Sequence, residues 1–488
     1  MARRLALVTW ILLVGYLQSL GLQATVQRPD GSVIEVSRID ETVGQLLQKA
    51  RVTGVGIALF HDGKIAYLKA YGYRDTEKSL PLTADSVMTS ASLSKAAFST
   101  LVMLLVQEHT LDLDTPINRY LPKPLPDYPR YSDLRGDDRY QRLTLRILLS
   151  HTSGFPNWRA FEDDRKLRIH FNPGTRYAYS GEGIELAQVV VETVTHKSIA
   201  DLMEEKLFRP LHMNRTSMVW ESRFDSDFAN GYDEYAHSLG PEKRTNPDAA
   251  GSMQTTLHDY AALLSAIMRR DVLNTRIAGE MLSPQIRIYS AHQFPSLENT
   301  TTTANDGIRL GYGLGWGLYS SPYGKAFFKE GHDEGWRHLA LGFNNGGGIL
   351  IMTNSSNGEG IFKLLIDSLL GPSSFPFEWE SYTPYDQLPP LRKLKEHKTV
   401  SLPHEDLEKL AGRYALSADI VLSVTVEGDR LFIQENDEPR QEYRAKSRTD
   451  FYSTSSSDEC TFRLVGNGPA DALVLHVDRK DVELKRLP

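Results

Sequence analysis

The chain is nearly free of cysteine, with Cys460 alone among 488 residues. A lone thiol forms no internal disulfide and cannot supply the multi-cysteine zinc patterns, so the fold must hold by packing. Cys460 ends the run Ser456-Ser457-Asp458-Glu459-Cys460, far from any histidine constellation, and reads as a buried strand cysteine rather than a nucleophile. Gly-x-Ser-x-Gly and His-Glu-x-x-His are absent, and no glycine-rich phosphate loop follows a strand. These absences remove the nucleophile-elbow, zinc-protease and nucleotide-binding readings. Long basic runs are also missing and the net charge is -7, so nucleic acid is not an expected partner. No apolar segment beyond the first residues is long enough to span a bilayer.

What is present is ordinary for a soluble globular protein: 41% hydrophobic and 24% charged residues. The length allows about two to four domains. At the N-terminus, Arg3 and Arg4 precede an apolar run from Leu5 to Leu17, and Leu22-Gln23-Ala24 ends on a small residue. Residues 1–24 read as a secretory signal, which makes the mature protein secreted or periplasmic. An uncleaved anchor is the alternative, because the run approaches spanning length.

Periodicity predicts a helix over 37–52, then a hairpin of strands 55–60 and 65–73 around the tight turn Asp62-Gly63. Residues 93–108 form a helix that is apolar on nearly every side and therefore belongs inside a domain. Helices follow near 145–150, 182–195, 199–207 and 256–270, and strands return at 311–318, 326–329, 338–344 and 348–354 before a closing helix over 361–370. Strands at both ends of a segment with helices between them indicate an α+β domain over 25–372, an antiparallel sheet flanked by helices with a helical lobe. Pro384, Pro389 and Pro390 mark a linker over 373–402. Short alternating strands, such as 420–426 and 473–477, then predict a small all-β barrel-like domain over 403–488.

Three short motifs carry chemistry. In Ser92-Leu93-Ser94-Lys95, a serine at a helix start has a lysine one turn further on, on the same face. Serine needs a neighbouring base to act as a nucleophile, and a lysine becomes one when burial or a nearby cation lowers its pKa. A lysine inside so apolar a helix needs a reason. Tyr179-Ser180-Gly181 precedes a helix, and its phenol can relay a proton if adjacent cations depress it. Lys329-Glu330-Gly331 sits on a late strand, where the lysine can supply that cation and the glycine allows close backbone approach. Taken alone, each has a plainer reading: a helix cap, a core tyrosine, an edge-strand lysine.

In this order and spacing, the motifs resemble the class C β-lactamase and D,D-peptidase group of penicillin-recognising serine enzymes, which includes β-lactamase-like esterases and D-aminopeptidases. Leu148-Leu149-Ser150-His151-Thr152-Ser153-Gly154, Asn172-Pro173-Gly174 and Gly311-Tyr312-Gly313-Leu314-Gly315-Trp316 are similar too, so the resemblance covers about residues 35–370. The C-terminal segment, with Leu410-Ala411-Gly412-Arg413-Tyr414, resembles the small barrel appended to many β-lactamase-related hydrolases.

The resemblance implies that Ser92 attacks a carbonyl, that Lys95 and Tyr179 share the proton work, and that Lys329 sets the electrostatics. The oxyanion then sits between the backbone N–H groups of Ser92 and of His332, the residue after Gly331. The implied chemistry takes a small-molecule or peptide substrate and needs no metal and no cofactor. Two departures matter. Gly181 stands where the family has an asparagine that helps hold substrate amides, which disfavours efficient β-lactam hydrolysis. His332 is a rival to Lys329, because some relatives carry a histidine in that role. The expected activity is acyl transfer on esters or D-amino-acid peptides ahead of β-lactams. The alternative is a catalytically weak relative that binds cell-wall peptides or β-lactams.

Overall fold

Asp62 and Gly63, at φ 49° and 69°, turn the chain between two strands, β1 (Gly54–His61) and β2 (Lys64–Asp75). On β1, Ala58 and Phe60 enter one apolar cluster while Ile57 and Leu59 enter another, as period-two alternation requires. Both faces are covered, which is why this strand is apolar without interruption. The computed structural model describes residues 25–388, 397–416, 420–436, 440–454, 458–477 and 480–488. The expected secretory signal, residues 1–24, lies outside the described residues.

Among these residues the first domain is built from helix α1 (Val36–Ala50), β1, β2, β3 (Leu80–Pro81), α2 (Leu93–Gln107), α3 (Leu145–Leu149), α4 (Gly181–Thr195) and α5 (Leu257–Arg269). There follow β4 (Ile286–Arg287), β5 (Gly311–Tyr312), β6 (Gly317–Ser321), β7 (Gly324–Asp333), β8 (Trp336–Phe343), β9 (Gly348–Thr353) and α6 (Phe362–Leu369). The nine strands form one antiparallel sheet in the order β4-β5-β6-β7-β8-β9-β1-β2-β3. The two chain ends meet where β9 pairs β1, with Thr353 opposite Val55. Helices α1 and α6 cover one face through Ile39, Val43, Leu365 and Ile366. Helices α2 and α5 and the helical lobe cover the other, with Phe98, Leu101 and Leu264 in its core.

The expected single strand over 311–318 is two strands joined by a turn, in which the Gly313 N–H donates to the Trp316 carbonyl at 2.8 Å. In a straight strand Tyr312, Leu314 and Trp316 would share a face. The turn sends Tyr312 to the α1/α6 side and Leu314 and Trp316 into the core around α2. The segment expected to begin a linker packs instead: Phe375, Trp379 and Tyr382 are buried against the α1/α6 face. Its prolines suggest an extended connector, but burial of these aromatics governs its first part. Residues 389–396 of that segment lie outside the described residues.

The C-terminal strands Gly412–Ala415, Val421–Glu427, Arg430–Glu435, Gln441–Ala445, Asp450–Ser453, Glu459–Leu464, Ala470–Val477 and Lys480–Arg486 close into an antiparallel barrel. The first strand pairs the last, with Tyr414 opposite Arg486, so no edge is left open. Tyr414, Leu422, Phe451, Cys460 and Phe462 fill the interior. Among the described residues, no helix is long and apolar enough to cross a membrane.

Trp379 packs edge-on to Phe328 and donates to Ser290 Oγ at 3.1 Å. Trp379→Ala is expected to destabilise the first domain by about 3–5 kcal/mol, read as a lower urea midpoint for its unfolding. A loss below about 1 kcal/mol would show that this segment contributes little to the core.

Candidate active site

The chain enters α2 through Ala91, held at φ 48°. A non-glycine residue there carries roughly 1–2 kcal/mol of strain. Ser92 occupies the N-cap position, yet its side chain makes no capping bond. Its Oγ lies 2.9 Å from the Nζ of Lys95, one turn further into the helix. Lys95 is 1% exposed, and its Nζ donates to the Ala250 carbonyl at 2.6 Å. Burial, assisted by the neighbouring Lys329 ammonium, pushes the amine down to about 7.

Tyr179 arrives from the start of α4. Ser180 caps that helix, accepting from the Gly183 N–H at 2.9 Å while its hydroxyl donates to the Pro156 carbonyl at 2.8 Å. This fixes the backbone next to the phenol. Lys329, on β7 and fully buried, donates to the Tyr179 hydroxyl at 3.1 Å. It also donates to the Glu330 carbonyl at 3.0 Å and pairs with the Glu330 carboxylate at 2.5 Å. Burial lowers the pKa of Lys329, and Glu330 opposes that shift. The Tyr179 phenol is also within hydrogen-bonding reach of the Ser92 side chain.

Ser92, Lys95, Tyr179 and Lys329 are thus brought together from three separate parts of the chain. The expected depression of the tyrosine is not found. Burial first, and the Glu330 carboxylate second, raise the Tyr179 phenol well above its ordinary value. Adjacent to Lys329, Glu330 offsets the cation that was expected to ionise the phenol. Tyr179 therefore stands as a neutral donor and acceptor. His151 backs it, with ring centroids 4.4 Å apart, and its Nδ1 accepts from the Ser180 N–H at 3.1 Å. It packs behind the tyrosine and takes no part in a serine–histidine pair.

Gly331 brings β7 against the entrance of α2: a Cβ there would stand 2.8 Å from the Ser90 carbonyl oxygen. Pairing of β7 with β6 ends at Phe328 opposite Gly317, so from Lys329 onward that edge has no partner strand among the described residues. The two-residue turn after Asp333 pairs it with Trp336. Counting the antiparallel alternation back from that pair, the His332 N–H points away from β8, toward the open edge. The His332 ring does not join Tyr179. Its Nε2 lies 2.9 Å from the Tyr382 hydroxyl and 3.7 Å from Glu359. Of the two rivals, Lys329 is the one that touches the phenol.

These groups open onto a cavity of about 1100 Å³. Its lining includes Asn157, Trp158 and Phe294, from the loops 156–168 and 286–306 expected to shape the pocket, and Arg413, Ile420, Val421 and Ser423 of the barrel, which the sequence placed in the second domain without assigning them to the site. The barrel also meets the first domain through a hydrogen bond from Gln441 Nε2 to Glu334 at 3.3 Å. Trp158 explains Gly181. A Cβ at 181 would stand 2.3 Å from the indole, so this ring fills the space beside the start of α4. Only through-space packing links the two positions, and no periodicity reports it.

Lysine carrying a ¹³Cε label should show Lys95 titrating near 7 by NMR. Lys329→Met should raise that midpoint, because one ammonium is removed and Glu330 is left without its partner. A Lys95 signal titrating near the ordinary value of about 10.4 would contradict the buried neutral amine.

The β-lactamase family model matches residues 39–367, and a model described as a domain of unknown function (DUF3471) matches residues 396–486. Penicillin-binding protein 4* of Bacillus subtilis (strain 168) is 25% identical over 478 residues, covering 91% of this chain and 97% of that protein. An octameric penicillin-binding protein homologue from Pyrococcus abyssi shares the fold at a TM-score of 0.57 and 20% identity, over 93% of this chain and 100% of that one. The D-alanine carboxypeptidase AmpC from Burkholderia cenocepacia does so at 0.54 and 20% identity, over 69% of this chain and 98% of that one. The chain belongs to the β-lactamase family.

Proposed function

We propose that this chain is a serine hydrolase that works through an acyl-enzyme on Ser92, with esters or D-amino-acid amides ahead of β-lactams as substrates. The observation that carries this reading is the 2.9 Å contact between Ser92 Oγ and an amine that burial and Lys329 push down to about 7. Near neutral pH a large fraction of that amine is uncharged, with a lone pair able to accept the serine proton.

Ser92 Oγ attacks the substrate carbonyl carbon while its proton passes to the Lys95 amine. The oxyanion is stabilised by the backbone N–H groups of Ser92 and His332, on the open edge of β7. The bond to the leaving group breaks, and the leaving oxygen or nitrogen takes a proton from the Lys95 ammonium through the neutral Tyr179 phenol. Lys329 holds that phenol by its 3.1 Å hydrogen bond. Water then attacks the acyl carbon and gives its proton to Lys95. The acid departs as Ser92 recovers its hydrogen. Ranking β-lactams last rests on Gly181, which carries no side chain where the family has an asparagine and has the Trp158 indole seated against it. With a secretory signal at residues 1–24, this chemistry takes place outside the cytoplasm.

A fluorophosphonate probe should label the Ser92 peptide. Hydrolysis of p-nitrophenyl esters should fall by at least about a thousandfold in Ser92→Ala and in Lys95→Met. In the wild type, kcat/KM should be low where Lys95 is an ammonium and rise with pH around about 7, where the free amine appears. The absence of labelling by fluorophosphonate, penicillin or any other acylating probe would overturn the proposal in favour of a binding protein.

A further inference from the structure

We propose that Trp158 and Phe294 form the two walls of an apolar acyl-binding cleft around Ser92, selecting substrates whose acyl group carries an aromatic ring. This inference rests on the hydrolase reading above and assigns its substrate class. The indole of Trp158 lies 5.7 Å from the Lys95 Nζ, and the ring of Phe294 lies 5.3 Å from that of Tyr179. Lys95 and Tyr179 are the two groups that reach the Ser92 side chain. One aromatic ring therefore stands behind each partner of the nucleophile, and an acyl group on Oγ extends between them.

The Trp158 wall is held in place before any substrate arrives. On one side of it, Asn157 Oδ1 accepts from the Gly181 N–H at 3.0 Å. On the other, the Arg159 N–H and guanidinium bond the buried Glu182 carboxylate at 3.0, 2.8 and 2.7 Å. Both anchors lie in the first turn of α4, and Gly181 between them has no Cβ, so the indole seats directly on that turn. A rigid wall of this kind orders no further side chain on binding, which keeps the entropic loss small.

The opposite wall is left open to water. Phe294 is 40% exposed and Phe161, at the same cavity, is 74% exposed. Covering such surface gains about 25 cal/mol per Å². Beside the rings, Arg159 is paired with Glu182 and Arg130 with Glu185. The two rings thus offer apolar surface to an aromatic acyl group on Ser92.

The test compares p-nitrophenyl phenylacetate with p-nitrophenyl acetate, each rate divided by that ester's hydroxide rate to remove intrinsic reactivity. The wild type should prefer the aryl ester by at least about tenfold in kcat/KM. Trp158→Ala and Phe294→Ala should each lower that preference several-fold. Gly181→Ala should act the same way with both aromatic residues retained, because its Cβ would displace the indole. Circular dichroism checks the fold of each variant. If Trp158→Ala does not fold, Phe294→Ala, on an exposed loop, decides the question. A wild-type preference near unity, or one that the folded variants leave unchanged, overturns the cleft while fluorophosphonate labelling of Ser92 keeps the hydrolase reading. Loss of labelling in the wild type removes that reading and the cleft with it.

Discussion

An amine whose basicity is lowered by burial inside protein is the constraint on which the rest of the site depends. Lys95 lies in a helix with almost no exposed side chain at its start, and its nearest polar neighbours are a serine hydroxyl and a peptide carbonyl. Neither is a carboxylate, and the next cation is another buried lysine. An ion in that position would lose its hydration without a directly bonded counter-charge, so the pKa of the amine falls. Lys329 is treated differently. Glu330, its neighbour in sequence, pairs with its ammonium. The two buried lysines thus differ in that only Lys329 is directly paired with an acid.

The fold supplies this contrast through the position of α2. Wrapped on all sides, the helix can bring its first turn to the surface only at the mouth of the cavity. Tyr179 is delivered by the capped start of α4, and Lys329 by a strand whose edge is left open where β6 ends. The strain at Ala91 sits one residue before Ser92, whose hydroxyl lies beside the lysine and makes no capping bond to the helix N–H groups. Side chains from a helix start, another helix start and a strand edge converge because each of those endings is exposed at the same place.

Contacts set by local geometry were legible in the sequence. The Ser92–Lys95 pair follows from helical spacing, the first hairpin from Asp62-Gly63, and the buried α2 from its apolar circumference. What could not be read depends on atoms far apart in the chain or on competition between neighbours. Lys329 promised a cation for Tyr179, and Glu330 stood beside it in plain view. Which of the two would dominate the phenol depended on rotamers and burial. The seating of Trp158 on Gly181 joins a loop to a helix start and leaves no pattern in either. Prolines near 384–390 suggested a connector, whereas Phe375, Trp379 and Tyr382 had enough apolar surface to hold the first part of that segment on the core. Strands such as Gln441–Ala445 and Asp450–Ser453 are too short and too polar to announce themselves without the closed ring of partners that defines them.

The barrel hairpin that carries Ile420, Val421 and Ser423 faces the same cavity as Ser92, though more than three hundred positions separate them in the chain. For an enzyme turning over at Ser92, the second domain is then part of the vessel in which the reaction occurs. A substitution on that side of the barrel would reshape a wall of the cavity, even though each domain closes its own core.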